Sequence, residues 1–411
     1  DWQIGIPQKL ISTLMILGDQ IPADKLQRYT AAISGYVPDP FKQLYTKTQG
    51  SFTDLAFIPD FVTSGANRTD LALTVLGLGI LQKNAGKITQ AATSIEEVFR
   101  LVTKGDGFYK DGSFIQHNTI PYTGSYGNVL IKGVGQILAI TQGSSFEMNS
   151  AVIQAFVENV DQAFLPLIYQ GEMLPLVNGR SISRAPARTK VGYGSSTIYN
   201  LLIVSQFAPS DYQKKFQEAA KYWIKENPDY YLTNPRDFND LQMTKQLLAD
   251  DAITGNTLPF IGTKMYASMD RFVQRTPNYM LGLSLYSSRT SSFEAGNKEN
   301  KRGWHTADGM VYLYNEDDVQ FNAAYWPTVD PYRLPGTTVD TVQLADETSA
   351  FTAVTSKEKW VGGVAHDGAA AVGMALNKAG TKNNGTVLPM NLQAKKSWFI
   401  VDGQIVALGA G

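Results

Sequence analysis

The spacing of hydrophobic positions changes near residue 255. Before it, apolar residues recur at helical intervals. In "PQKLISTLMILGDQI", Leu10, Leu14, Ile16 and Leu17 fall at such spacing and predict an amphipathic helix. "RTDLALTVLGLGILQK" is apolar nearly all round, as expected of a helix buried on both sides. Further helices are expected over "TSIEEVFRLVTK", "YGNVLIKGVGQILAIT", "NSAVIQAFVENVDQAFLPLI", "SSTIYNLLIVSQFA", "SDYQKKFQEAAKYWIKEN" and "RDFNDLQMTKQLLAD". Buried and amphipathic helices alternate, which favours a ring of helical hairpins with an inner and an outer layer over a simple bundle.

After residue 255 the pattern shortens to runs of alternating, β-branched or aromatic residues: "YMLGLSLYSS", "GMVYLYN", "VQLADETSAFTAV", "WVGGVA", "AAAVGMALN" and "KSWFIVDGQIVALGA". Turn residues punctuate them. "FIVDGQIVAL" reads as a hairpin turning on Asp402-Gly403. The expected plan is α+β: helices over 1–255, then a large antiparallel β-sandwich over 256–411.

Composition narrows the function classes. With 43% hydrophobic and 18% charged residues, the 411-residue chain has a sizeable core. A net charge of −1 provides no global field for nucleic acid or a membrane surface. Cysteine is absent, so disulfides and thiolate metal sites are excluded. The longest apolar run, Leu71–Leu81, is too short to span a bilayer. No leader-like segment is visible, and the chain opens on "DWQIGIP" in mid-pattern, as a piece of a longer protein would. "GLGILQKNAGK" lacks phosphate-loop spacing and follows no expected strand.

Four stretches can carry chemistry. "KGDGFYKDGSFIQHNTIPYTGS" joins two expected helices as a long unstructured connection, a feature that is often functional. It holds His117, one of three histidines, and Tyr126 begins the next helix. Read alone, His117 is either a hydrogen-bonded lid residue or a reactive base. Asn67 in "FVTSGANRTD" is either a helix N-cap or a donor to substrate. Arg180, Arg184, Arg188 and Lys190 crowd one segment, either as a solvated loop or as a clamp for carboxylates and sulfates. "SSFEAGNKENKRGWHTADGM" brings Glu294, Asn297, Glu299, Asn300 and Trp304 between strands, as a turn or as a site.

Taken in order, these stretches resemble polysaccharide lyase family 8, the hyaluronate, chondroitin AC and xanthan lyases. The resemblance runs from "DWQIGIP" through "DGSFIQHNTIPYTGSYGNVL", "GRSISR", "LYSSRTSSFEAGNKENKRGWHTADGMVYLYN" and "YWPTVDPYRLPGTT" to "SWFIVDGQIVALGAG". It implies an incomplete α/α toroid followed by stacked antiparallel sheets, lacking the family's first helices and the distal part of its β region. The family's catalytic asparagine, histidine and tyrosine fall on Asn67, His117 and Tyr126. Its arginines fall on Arg180 and Arg184, and a glutamate and asparagine from the β domain fall on Glu294 and Asn297. The aromatic patch that grips sugar rings matches Phe61. The family's Trp-Trp pair has no counterpart in the chain, and Trp2 and Arg188 are counted only as neighbouring substrate-binding candidates.

The resemblance further implies β-elimination: a base takes the C5 proton of a uronic acid, and an acid protonates the leaving oxygen at C4. His117 is the expected base and Tyr126 the expected acid, with Asn67 stabilising the enolate and Glu294 orienting its neighbours. An alternative gives both transfers to Tyr126. No cofactor or metal is expected. The expected partner is an anionic polysaccharide, hyaluronan before chondroitin, met by a secreted or cell-surface bacterial monomer without nucleic-acid binding or membrane insertion. A toroid glycoside hydrolase would need Asp106 and Asp111 as paired carboxylates, but both stand in Asp-Gly turns. A non-catalytic carbohydrate-binding protein is the third reading.

Overall fold

The computed structural model describes residues 2–46, 55–184, 192–316, 320–322, 324–348 and 352–411. Helices α1 (Gly5–Leu17) and α2 (Ala23–Tyr36) precede a hairpin of β1 (Lys42–Thr46) and β2 (Leu55–Val62). Then come α3 (Gly65–Leu81) and α4 (Ala85–Glu96), a small sheet of β3 (Gly107–Phe108), β4 (Phe114–Gln116) and β5 (Ile120–Pro121), α5 (Asn128–Thr141) and α6 (Ser150–Phe164). A two-stranded piece, β6 (Ile168–Tyr169) and β7 (Glu172–Met173), leads to α7 (Gly192–Ser205), α8 (Ser210–Glu226), α9 (Pro228–Thr233) and α10 (Phe238–Ala249).

α3, α5 and α7 pack side by side as an inner layer, backed by α4 on α3 and α8 on α7. The sequence explains the layering. α3 buries Leu71, Ala72, Val75, Leu76 and Leu78 around its circumference. α8 instead hides only one stripe, including Phe216, Ala219, Ala220, Trp223 and Ile224. Two glycines of α5 allow close approach on both sides. A Cβ on Gly133 would lie 2.8 Å from Thr69 of α3, and one on Gly135 2.6 Å from Ile203 of α7.

The β region holds two four-stranded antiparallel sheets. The first contains β8 (Gly262–Tyr266), β9 (Arg271–Arg275), β10 (Met280–Ser284) and β12 (Met310–Tyr314). β11 (Ser291–Ala295) leaves this sheet to pair with β13 (Thr352–Thr355), and a short helix α11 (Tyr325–Thr328) lies between them. The second sheet contains β14 (Val361–His366), β15 (Ala369–Asn377), β18 (Gln393–Val401) and β19 (Gln404–Ala410), beside a ribbon of β16 (Lys382–Asn383) and β17 (Thr386–Val387). Phe272, Leu281 and Leu283 of the first sheet pack on Val372, Met374, Trp398 and Ile400 of the second. The opposite face of the first sheet, with Tyr266, Val273, Met280 and Tyr312, belongs to the core of the helical layer. The expected sandwich is therefore present, with one sheet buried on both faces. The hairpin turn is as read: Val401 pairs with Gln404, and Asp402 and Gly403 both have positive φ.

Four expectations need correction. α1 buries Pro7, Ile11 and Leu14, while Leu10, Ile16 and Leu17 are exposed, because its contact face is set by α3. The helix expected at "TSIEEVFRLVTK" ends in a 3-10 turn at Glu97–Phe99. The connection after it is not unstructured, since β3, β4 and β5 hydrogen-bond within it. In "VQLADETSAFTAV" the only described strand is β13.

Candidate active site

His117 sits in the tight connection between β4 and β5. It and Asn118 take left-handed φ of 57° and 65°, a region that His and Asn enter more readily than most residues. Asp106 fixes the connection by accepting from Asn118 N and from Ser64 Oγ, each at 2.6 Å. Gln116 Oε1 accepts from Ala66 N at 3.3 Å. These bonds tie the histidine loop to the first turn of α3, which carries Asn67. The N-cap position there is Ser64, so the capping role considered for Asn67 is not what this helix uses. Asn67 is half-buried, and its side chain makes no hydrogen bond among the described residues.

Tyr126 lies in a π-helical turn, Thr123–Gly127, closed by Gly127 N donating to Tyr122 O at 2.9 Å. Such turns recur at functional sites. The turn faces Gly179–Ser183, a 3-10 segment. Gly179 has φ 52°, and a Cβ there would come within 2.2 Å of the Tyr122 ring. Only glycine lets Arg180 reach its place.

Arg180 is almost fully buried and donates in three directions. Nη1 donates to Tyr122 OH at 3.0 Å and Glu294 Oε2 at 2.8 Å, Nη2 to Tyr126 OH at 3.2 Å, and Nε to Glu299 Oε2 at 3.0 Å. Arg184 binds Glu299 with Nε at 2.6 Å and Nη2 at 3.0 Å. Glu294 arrives on β11, docked by Ser291 N donating to Thr119 O at 3.0 Å. Its other oxygen meets His117 Nδ1 at 2.5 Å, and Tyr122 OH donates to Oε2. The rings of His117, Tyr122 and Tyr126 pack edge to face, with centroids 4.7–5.5 Å apart.

Burial, with the charge of Glu294 added, pushes the Tyr122 phenol far above its ordinary value. Tyr122 therefore keeps its proton and gives it to Glu294 as a hydrogen bond. Burial alone would raise the Glu294 carboxyl, but His117, Tyr122 and Arg180 outweigh it and hold the group below the carboxylate range. Glu299 is also held low, because Arg184 and Arg180 outweigh its burial. An ionised Glu294 on Nδ1 selects the tautomer with the proton there, which puts the imidazole lone pair on Nε2.

Five of the ten expected site residues are thus in one connected cluster: His117, Tyr126, Arg180, Arg184 and Glu294. Asn67 stands one residue from the backbone that Gln116 pins. Asn297 is exposed and makes no side-chain hydrogen bond among the described residues; it is Asn300 Nδ2 that donates to Glu294 O, at 2.9 Å. Trp2 stacks on Tyr36 at 5.5 Å, at the α1–α2 edge. The Phe61 backbone lies in β2, and its side chain is outside the described residues, as is Arg188. Asp106 and Asp111 serve as backbone anchors, Asp111 accepting from Ser113 N and Ser268 N. Tyr122 carries no assigned role in the sequence reading, and Glu299 and Asn300 stand there only among polar residues left open between a turn and a site; the structure brings all three into the cluster. A carboxylate in a strand buried at every position, "SSFEA", is one signal that partners had to exist. Among the described residues no group of three or more His, Asp or Glu side chains is disposed to hold a metal ion.

Comparison with known proteins places this geometry. Residues 1–222 match the N terminal alpha-helical domain of polysaccharide lyase family 8, and residues 261–411 match its super-sandwich domain. The chain is 77% identical over 411 residues to hyaluronate lyase HylB of Enterococcus faecalis, covering all of this chain and 41% of that protein. It is 34% identical to a xanthan lyase of Bacillus sp., of which it covers 40%. Its fold superposes on a Streptomyces coelicolor A3 chondroitin AC lyase in complex with chondroitin sulphate with a TM-score of 0.86 at 34% identity, over all of this chain and 54% of that one. The chain spans about half or less of the length of these relatives. By sequence in both parts and by fold throughout, it belongs to polysaccharide lyase family 8.

Proposed function

We propose that this chain forms the catalytic region of a lyase that cleaves hyaluronan by β-elimination, leaving an unsaturated uronate. The observation that carries the reading is the Glu294-centred cluster, which holds His117 Nδ1 at 2.5 Å and joins it to Arg180 and Tyr126. His117 takes the C5 proton through Nε2, and ionised Glu294 stabilises the imidazolium that forms. Tyr126 protonates the leaving oxygen at C4. Arg180 Nη2 already donates to its hydroxyl, so the phenolate left behind meets a permanent positive charge. Asn67, whose amide has no partner among the described residues, donates to the substrate carboxylate and spreads the enolate charge without titrating. The same contacts would serve a Tyr126 that performs both transfers; the His117 assignment rests on the tautomer that Glu294 selects.

Hyaluronan is preferred because the 77% identical relative is a hyaluronate lyase; unsulfated chondroitin is expected to be a slower substrate. The cluster closes within one chain, which supports action as a monomer, and a polymer of this kind is met outside the cell. No described helix is long and apolar enough to cross a membrane. The test incubates the protein with hyaluronan, chondroitin sulfates and pyruvylated xanthan while following ultraviolet absorbance and product size. A conjugated double bond formed fastest from hyaluronan supports the reading. Cleavage without that absorbance would replace it with hydrolysis.

A further inference from the structure

A small cavity of about 30 Å³ is lined by Arg271, Ser284 and Tyr312 of the first sheet, by Leu176 and Gly179 of the helical region, and by Glu294 of β11. We propose that it binds one small inorganic anion, a halide such as chloride, held by the Arg271 guanidinium and the hydroxyls of Ser284 and Tyr312. Such a site is separate from the polymer and does not depend on which polymer is cleaved. Strand register puts the three donors together. Arg271 pairs with Ser284 across β9 and β10, and Tyr312 of β12 pairs with Gly282, two residues before Ser284. Side chains alternate across a strand, so all three share one sheet face. That face meets the helical region, since a Cβ on Gly282 would lie 2.6 Å from Leu176.

Arg271 is buried, yet every bond of its guanidinium goes to a neutral main-chain oxygen. Nε donates to Leu176 O at 2.7 Å, and Nη1 to Met269 O at 3.3 Å, Asp270 O at 3.1 Å and Leu285 O at 2.5 Å. Among the described residues Nη2 has no partner and the group makes no ion pair. The adjacent carboxylate of Asp270 is already engaged by Arg289, Ser287 and Thr290. Two arginines thus stand beside one carboxylate, and the buried one has no counter-charge bound to it. A buried charge in that state is costly. Burial pushes the guanidinium down to about 10, the direction expected when the charged form lacks compensation, and it stays charged at neutral pH.

The chemistry of the lining selects the ligand. Ser284 and Tyr312 are buried, and their hydroxyls make no hydrogen bond among the described residues. Burial raises the Tyr312 phenol far above its ordinary value, so it keeps its proton and donates. Glu294 lines the cavity as well, but its oxygens are taken by His117, Tyr122 and Arg180. A halide accepts from all three donors and supplies the missing charge; a water in the same place would leave the charge uncompensated. The volume has room for about one or two water-sized particles, and a sugar ring does not fit. The anion would also fasten the joint between the two regions. Arg271 holds the carbonyl of Leu176, which leads into the Gly179–Ser183 segment that carries Arg180 to Glu294.

The test follows urea unfolding of the full chain while sodium chloride replaces sodium gluconate at constant ionic strength, gluconate being too large for the cavity. An anion that binds only the folded protein raises its stability with concentration as one-site linkage requires. The unfolding midpoint should therefore rise with chloride and not with gluconate. Tyr312→Phe and Ser284→Ala should each need about tenfold more chloride for the same rise, the size of one hydrogen bond to a charged group. Arg271→Met should lose the chloride dependence. Crystals soaked in sodium bromide should show an anomalous peak within hydrogen-bond distance of Arg271 Nη2. Equal midpoints in the two salts, a chloride effect unchanged in the variants, or no bromide at Arg271 would each overturn the site. If circular dichroism shows that Arg271→Met does not fold, the two hydroxyl variants and the bromide position decide. None of these readings uses turnover, so failure of the lyase reading would leave them standing.

Discussion

Arg180 and Glu294 lie 114 residues apart in sequence and meet at 2.8 Å, with side chains only 4% and 2% exposed. They join the two regions of the chain at the proposed catalytic cluster. Removing one partner leaves the other charge buried and unpaired, which typically costs about 3–5 kcal/mol. Glu294→Gln keeps the shape but no longer favours the Nδ1–H tautomer of His117 or the imidazolium. We expect kcat to fall by about 10²–10⁴-fold, the usual range for general acid–base catalysis, with a smaller change in KM. Glu294→Ala should in addition lower stability in urea unfolding. Near-normal kcat in a folded Glu294→Gln protein would remove Glu294 from the mechanism.

The two tyrosines that share Arg180 should separate. Tyr126→Phe removes the proposed proton donor and is expected to abolish measurable turnover while oligosaccharide binding persists. Tyr122→Phe removes the hydroxyl's hydrogen bonds to Glu294 and from Arg180 and none of the proton transfer. Its kcat should fall by about tenfold, in line with the loss of bonds to charged groups. Steady-state kinetics beside calorimetry distinguishes them. The reverse ranking would make Tyr122 the reactive phenol.

These contacts also mark where the sequence stopped being legible. The period of its apolar residues gave the order of helix and sheet, and the Asp402-Gly403 turn was readable because two residues of positive φ sit between alternating strands. His117, Tyr126, Arg180, Arg184 and Glu294 were found through motif resemblance. Their physical grounds were not visible, because each depends on a partner far along the chain: Glu299 binds Arg184 across 115 residues. Tyr122 could not be told from Tyr126 by type or neighbourhood. What separates them is burial against Gly179, a close approach of backbone to ring that no local pattern encodes. The exposed face of α1 was misjudged for a related reason. Its apolar residues nearly surround the helix, and only the position of α3 selects among them.

Asp70 of α3 gives a prediction about pH. Burial raises its carboxyl from the ordinary 3.8 to about 6, against the opposing effects of Gln8 and Lys132. The folded protein therefore binds a proton that the unfolded chain releases between about pH 4 and 6. The associated stability is complete below pH 4 and is lost as pH rises through 6. At pH 7 the charged group is a burden of up to about 3 kcal/mol, reduced by partial solvent access. Asn in its place still accepts from Gln8. Asp70→Asn should therefore stabilise the protein by about 1–2 kcal/mol at pH 7 and not below pH 4. Urea unfolding at both pH values checks this, and an equal gain at both would refute it.

Asn128 follows the turn that carries Tyr126, and its buried amide is fully engaged. Nδ2 donates to Gly124 O at 2.7 Å, inside the π-helical turn, and to Tyr193 O at 3.2 Å. Oδ1 accepts from Thr197 Oγ1 at 2.8 Å. Tyr193 in turn donates from its hydroxyl to Ser181 O, in the segment between Arg180 and Arg184. One side chain thus ties the tyrosine turn to the arginine turn without touching the reacting groups, and its part is to position them. Asn128→Ala should cost about 1–3 kcal/mol from the carbonyls it leaves unpaired. It should also lower kcat by about tenfold or more while oligosaccharide affinity stays within about twofold, since small misplacements of reacting groups act on the chemical step. Thr197→Val removes one of the two donors to Oδ1 and the hydroxyl's bond to Tyr193 O, leaves both Nδ2 bonds in place, and should lie between the two proteins in both respects. A merely structural Asn128 would lower stability and leave kcat per folded molecule unchanged; kinetics normalised to the folded fraction, measured beside urea unfolding, separates that outcome from the one expected.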